Sequence, residues 1–385
     1  MRIAINTRLL LPRRHDGIGW FTAETMRRIV HDHPEHEFFL LFDRNPDIHA
    51  VFHGEDMPDN THVIVLHPQA RHPLLWILYF EWSTPRALKK YKIDLYLSTD
   101  GWMSLRTSVP TLTVIHDLNF EHASDYLKPI YQKYMTFFFP RFAHKAARVA
   151  TVSEFSKKDL VDTYNISPDK VDVVYDGSHS DYKPHTPDEQ STTRQRYTNG
   201  KRYFIFIGSI SRRKNLTNIL LAFDKMKEEC STDSIGDTKL VVVGSRTWWQ
   251  DELKQAYDTM KHQQDVIFQG HVDAEELSRL MSASIALVYP SLFEGFGIPI
   301  IEAFNARTAV ITANVTSMPE VAGDAAIIVD PYSVEAICDA MTSLATDDTL
   351  RDTLIERGWQ RRDIFNWDRT ASLLWESLMR TASKQ

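Results

Sequence analysis

The chain has 385 residues, a formal net charge of −7, 43% hydrophobic and 25% charged residues. That length is too great for one core and suits two α/β domains of roughly 180 residues each, with a cleft expected between them. The acidic balance argues against nucleic acid as the main partner, and no stretch approaches the roughly 20 apolar residues that span a bilayer.

Cys230 and Cys338 are the only cysteines, and neither has a Cys or His nearby at metal-ligand spacing. A disulfide scaffold and structural zinc are therefore not expected, and a reducing compartment is. Met1 to Asn6 read as a first strand and not as a signal peptide, so the expected location is cytoplasmic. Residues 1–178 carry 21 basic against 22 acidic residues, leaving 23 against 29 for the remainder. The N-terminal half can thus approach anionic surfaces more easily.

In chain order, apolar strands over 2–6, 37–42, 62–66, 94–98, 111–115, 149–152 and 171–175 alternate with helical patterns, which is the signature of a doubly wound α/β domain over residues 1–178. After the first strand comes a ten-residue loop, Thr7 to Asp16, and then Gly17-Ile18-Gly19 at a helix start, a setting that invites phosphate. Arg13 and Arg14 can assist there or remain solvated. Gly17-x-Gly19, with Asp43 closing the second strand, also imitates a dinucleotide fingerprint. The imitation is partial, because the third glycine position is Thr22 and the connection is too long for that motif's tight turn.

Pro73 to Trp82 is apolar and aromatic but only ten residues long. It reads as a core helix or, with Lys89, Lys90 and Lys92 beside it, as a surface touching an acceptor or the inner face of a membrane. Strand 111–115 delivers His116 and Asp117 at its carboxyl end, where open α/β sheets bind ligands, with Asp100 and Asn119 on the same edge.

Residues 179–200 are polar, carry two prolines and show no apolar periodicity, so a linker is expected there. A second doubly wound domain follows over 201–366, with strands at 203–207, 240–243, 266–269, 285–289, 309–312 and 327–329. Arg212-Arg213-Lys214-Asn215 follows its first strand and enters a helix, placing cations where phosphates bind.

Tyr289 to Glu302 reads as strand end, glycine loop and new helix, with Pro299 near the helix start. Glu294 then overhangs a crevice and Glu302 lies in the first helical turn, so two acids face one pocket. Backbone N–H groups of Gly295, Phe296 and Gly297 can point at the same ligand. Carboxylates and amides together suit a polyhydroxylated ligand.

The pattern Glu294-x7-Glu302 within Pro-Ser-Leu-Phe-Glu-Gly-Phe-Gly-Ile-Pro resembles the signature of the retaining, nucleotide-sugar-dependent glycosyltransferases of family 4, whose two-domain fold is called GT-B. Ile115-His116-Asp117-Leu118, Thr151 to Ser156 and Arg213-Lys214-Asn215-Leu216 extend the resemblance over nearly the whole chain.

The resemblance implies two Rossmann-like domains, with a final helix over 367–385 packing back on the first. It implies a sugar, mannose among the candidates, moved from a nucleoside diphosphate donor to a carbohydrate or lipid-linked acceptor in surface polysaccharide or glycolipid synthesis. In this reading Gly17 and Gly19 close on the donor diphosphate or the acceptor, and His116 touches the donor sugar. Arg213 and Lys214 take the diphosphate, Arg212 standing beside them as an alternative. Val272, after Gly270-His271, lies at the nucleotide base, Glu294 faces the sugar and Glu302 holds the ribose hydroxyls.

No cofactor or metal is expected, since no Asp-x-Asp pair lies in a glycine-rich loop and the cations can neutralise the leaving group. Loss of Lys214 is expected to lower turnover without disturbing folding. A nucleotide-sugar epimerase of similar fold and a non-catalytic sugar-nucleotide-binding protein are the alternatives.

Overall fold

The computed structural model describes residues 1–10, 17–122, 127–230, 233–244 and 251–382. Arg13, Arg14 and Asp16 of the first loop lie outside the described residues. The chain divides into two compact units: unit 1 is Met1–Gly177 with Asn366–Gln385, and unit 2 is Ser178–Phe365.

Unit 1 is built on β1 (Arg2–Asn6), β2 (Glu37–Phe42), β3 (Thr61–Val65), β4 (Leu95–Ser98), β5 (Thr111–Val114), β6 (Arg148–Thr151) and β7 (Val171–Val173). They form one sheet in the order β3-β2-β1-β4-β5-β6-β7, and every pairing is parallel. The central strands read as apolar runs because helices cover both faces, so Ile3, Ala4 and Ile5 are fully buried.

Unit 2 repeats the plan with β8 (Tyr203–Ile207), β9 (Lys239–Val243), β10 (Val266–Gly270), β11 (Ala286–Tyr289), β12 (Ala309–Ala313) and β13 (Ile327–Val329), ordered β10-β9-β8-β11-β12-β13. In each sheet the winding reverses once, between β1 and β4 and between β8 and β11. Helices diverge there and leave a crevice past the carboxyl ends of those strands.

Residues 179–200 are not a bare linker. A helix spans Pro187–Thr198 inside unit 2, begun by a capping box between Thr186 and Glu189 and ended by Asn199 in the left-handed conformation. Its buried positions are Thr193 and Thr198, so it carries no apolar stripe from which periodicity could be read.

The helix Trp367–Ala382 belongs to unit 1. It buries Ala371, Leu374 and Leu378, where each leucine contributes roughly 1.5–3 kcal/mol. Polar contacts fix its register: Thr370 Oγ1 donates to the Tyr175 carbonyl at 2.6 Å, and Ser377 Oγ donates to Asp172 at 2.6 Å. Asp172 also takes both arms of Arg148 at 2.7 Å each. Trp375 stacks on His33 at 3.7 Å between ring centres.

Candidate active site

The crevice of unit 2 is lined by the loops after β8 and β11. Past β8, Gly208 adopts φ +147°, and a single 3₁₀ turn, Arg212–Lys214, ends at Asn215 in the left-handed conformation. Asn215 is buried and donates to the carbonyls of Pro290 at 2.9 Å and Pro331 at 2.7 Å. Leu292 N–H donates back to the Arg213 carbonyl at 2.8 Å. The two loops are therefore tied together by main-chain groups before any side-chain charge is considered.

The charges converge on Glu294. Lys214 Nζ lies 2.7 Å from Oε1 and Arg213 lies 2.7 Å from Oε2, so each carboxylate oxygen has its own cation. Lys214 also bonds the Tyr289 hydroxyl and sits over that ring, 4.6 Å from its centre. Arg213 bonds the Phe293 carbonyl at 2.6 Å.

Glu294 is 7% exposed. Burial alone pushes its carboxyl up, but the neighbouring Lys214 and Arg213 outweigh it and hold the group down at about 2. Below the loop, Thr316 accepts from the Glu294 N–H, and Ser317 Oγ reaches the carbonyls of Glu294 and Phe296 at 2.9 and 2.8 Å. Arg212 turns to the surface beside Glu252 at 3.8 Å. Of the two arginines it is Arg213 that enters the charged cluster.

Gly295, Phe296 and Gly297 are buried. Gly297, at φ +105°, caps the helix Ile298–Asn305, and the Phe296 ring packs edge-on to Phe365. Because the helix begins at Ile298, Glu302 lies one turn in and not in the first turn as its spacing from Pro299 suggested. It is part-buried and receives the Tyr182 hydroxyl. Burial pushes its carboxyl up to about 7, against the opposing pull of Tyr182 and the Lys214 charge. The two acids are thus driven in opposite directions, Glu294 down by its two cations and Glu302 up by burial. Val272 is part-buried between β10 and the helix Ala274–Ser282.

In unit 1, Gly17 opens the helix Gly17–Asp32 and Gly19 is buried within it. His116, just past β5, donates from Nε2 to the Thr99 carbonyl at 2.9 Å. Since a carbonyl only accepts, Nε2 carries a proton. Phe21 packs edge-on to His116 at 4.9 Å. Thr22 donates to Thr99, and Thr99 to the Asn6 carbonyl.

Asp100 lies just past the carboxyl end of β4, on the expected edge, where it is 3% exposed and faces Arg8 at 2.6 Å, with Asn6 donating to its other oxygen at 2.8 Å. Arg8, Asn215, Tyr182 and Tyr289 escaped the reading of site roles. Asn215 and Tyr289 lie inside recognised motifs, whereas Arg8 and Tyr182 meet their partners only through the tertiary fold.

Two family models divide the chain. Glycosyltransferase Family 4 matches residues 16–181 and Glycosyl transferases group 1 matches residues 189–361. The chain is 30% identical over 261 residues to the O-antigen chain mannosyltransferase RfbU of Salmonella typhimurium, covering 67% of each chain. It is a family 4 glycosyltransferase.

This glycosyltransferase is also 29% identical over 359 residues to O-antigen chain mannosyltransferase B of Escherichia coli, spanning 91% of this chain and 93% of that protein. Its fold is similar to that of Anabaena HepE solved with UDP-glucose, at a TM-score of 0.73 and 16% identity over 99% of this chain and 100% of that one. The fold is GT-B. Among the described residues of the glycosyltransferase, no group of three or more His, Cys, Asp or Glu could hold a metal ion, and no helix is long and apolar enough to cross a membrane.

Proposed function

We propose that this glycosyltransferase moves a hexose, mannose first among the candidates, from a nucleoside diphosphate donor to a hydroxyl of a carbohydrate or lipid-linked acceptor. Configuration is retained, no metal takes part, and the product belongs to a surface polysaccharide. The reaction takes place in the cytoplasm at the inner face of a membrane. The observation that carries the reading is the Arg213, Lys214 and Glu294 cluster in the crevice between β8 and β11. Likeness to two O-antigen mannosyltransferases supports the sugar and the pathway class, and likeness to a structure with bound UDP-glucose supports the donor class.

In this mechanism the breaking glycosidic bond sends negative charge onto the diphosphate. Arg213 and Lys214, already fixed in place, stabilise that charge more in the transition state than in the ground state. Glu294 stays ionised, orients the sugar hydroxyls and favours the positive charge that grows at the anomeric carbon. Glu302 holds the ribose hydroxyls in exchange for Tyr182, Val272 borders the base, and the Gly295 to Gly297 backbone approaches the donor. Within unit 1, Gly17 and Gly19 are assigned to the donor diphosphate or the acceptor, and His116 to the donor sugar.

The test is a panel of nucleotide sugars, GDP-mannose included, incubated with acceptor extract and followed by mass spectrometry. One donor should yield a nucleoside diphosphate and a product heavier by one hexose. An epimerised sugar with no transfer, or tight binding with no turnover of any donor, overturns the proposal.

A further inference from the structure

The crossover from β3 to β4 is a helical segment of three joined parts, Pro73–Leu78, a π turn Tyr79–Ser83, and Thr84–Lys90. Its inner face is a small core of its own, where Trp76, Tyr79 and Phe80 pack with Ala70 and Tyr134. Its outer face is unusual for a surface helix. Leu74, Leu78 and Trp82, four residues apart, are 64%, 46% and 45% exposed. Arg86 continues the row, and Lys89 and Lys90 end it, all exposed.

The one acid between Pro73 and Lys92, Glu81, turns inward and accepts from the Leu105 N–H at 2.9 Å. At the basic end, beside Trp82, opens a groove of about 540 Å³ whose cations are Arg86, Lys89, Lys92 and Arg106. The guanidinium carbons of Arg86 and Arg106 stand 5.0 and 4.4 Å from the Trp82 ring centre.

We infer that this face docks on an anionic lipid surface, with Leu74, Leu78 and Trp82 entering the headgroup boundary and the groove cations meeting lipid phosphates. Charge complementarity selects this occupant: the chain as a whole carries −7, yet the groove sets Arg86, Lys89, Lys92 and Arg106 against a single acid, Glu81, which is engaged by the Leu105 N–H. A row of apolar residues running into cations, with an indole between them, is the pattern of a helix lying in a membrane interface.

Topology adds a direction. The segment leaves the carboxyl end of β3 and returns to the amino end of β4, so its apolar end lies on the His116 edge of the sheet and its basic end on the opposite edge. An acceptor anchored in the same lipid surface therefore arrives at the reacting edge. The inference deepens the lipid-linked acceptor reading and rests on it, but its test needs no turnover.

The experiment is flotation of the full chain with vesicles, one set of phosphatidylcholine alone and one of equal parts phosphatidylcholine and phosphatidylglycerol. The protein should float with the second set and stay down with the first. Lys89→Gln with Lys90→Gln should weaken flotation about 30-fold, from the usual contribution of a cation near an anionic surface. Leu78→Ser with Trp82→Ser should abolish it; melts run beside flotation confirm that each variant is folded, and the two-lysine variant, changed only at exposed side chains, should melt like the parent.

Failure of the parent to float with anionic vesicles overturns the inference, as does equal flotation with neutral ones. Parental flotation of the two-lysine variant does so too, whereas a parent that floats with neither set leaves a protein as the occupant of this face. Flotation with no sugar transfer from any donor would leave the docking face standing and remove the proposed reaction.

Discussion

Lys214 and Glu294 neutralise each other inside unit 2, with Nζ 2.7 Å from Oε1 and both side chains nearly sealed from water. The cation assigned to the leaving phosphate is thus already oriented before a donor arrives, and no side chain has to be ordered at the moment of reaction. The same pair makes the charged cluster part of the fold's own stability.

Lys214→Ala is therefore expected to do two things. Turnover falls by about two orders of magnitude or more, since one lost phosphate-directed cation removes roughly 3 kcal/mol of transition-state stabilisation. Contrary to expectation from the sequence alone, stability also falls, by about 2–4 kcal/mol, because Glu294 is left buried with one cation where it had two. Steady-state kinetics beside thermal melts check both. A variant that melts like the parent would remove the structural half, and one that transfers at the parental rate the catalytic half.

The two glutamates should differ in kind. Glu294→Gln should cost turnover while leaving affinity for the free nucleoside diphosphate close to parental, and Glu302→Gln should weaken that affinity. Calorimetry with the nucleoside diphosphate decides between them. Equal loss of affinity in both variants, or loss in Glu294→Gln alone, means the roles are wrongly assigned.

Stability should depend on pH in opposite senses through these acids. The Glu302 carboxyl, held at about 7 against an ordinary 4.5, keeps its proton longer folded than unfolded. Its contribution to stability therefore declines as pH rises from about 4.5 to about 7 and is level above, by at most about 3 kcal/mol. Glu294, held at about 2, contributes stability that is present above 4.5 and lost as pH falls toward 2. Asp176, pushed up to about 8 by burial alone, adds a declining slope of its own. Urea midpoints across pH for the parent and Glu302→Gln isolate the first effect. The variant should be flatter between pH 4.5 and 7, and parallel curves would exclude it.

Backbone geometry beneath the site gives another test. Gly244 has φ +159°, and a Cβ there would lie 2.0 Å from the Gly208 carbonyl oxygen, which belongs to main chain and cannot swing aside. The Gly208 N–H is held by Val243 at 3.0 Å and the Gly244 N–H by Gly270 at 2.8 Å. Gly244→Ala should cost about 2–4 kcal/mol. Gly236→Ala, with no atom within 4 Å of the added carbon, serves as the control. Equal melting temperatures for the two variants would contradict this account.

Activity should survive EDTA, because Arg213 and Lys214 provide the positive charge that a divalent ion supplies elsewhere. Loss of transfer on chelation, restored by Mn²⁺ or Mg²⁺, would refute the metal-free mechanism.

Much of this was legible in the chain. The strands could be located to within about two residues at each end, because apolar runs bounded by glycine and polar turns have few other readings in a parallel sheet. The glutamate motif and the cation turn were legible because each lies in one continuous stretch. The helix Pro187–Thr198 was missed because its faces are polar throughout, although Thr186, Pro187 and Glu189 spell out its start. Tyr182 with Glu302, and Arg8 with Asp100, were out of reach for another reason. Each pair is set by how distant segments cross, and no local spacing encodes it.

Unit 2 is a single continuous run of chain, whereas unit 1 is completed by residues that follow all of unit 2. On the ribosome, β1 to β7 emerge first yet lack the helix that covers Phe21, His33 and Asp172 until residues beyond unit 2 have been made. The nascent first unit thus lacks the cover of that face until unit 2, a single continuous run, has been made. Order of synthesis and order of completion are thus reversed in this enzyme. A break in the chain anywhere within unit 2 would leave the earlier-made unit, and not only the later one, unfinished.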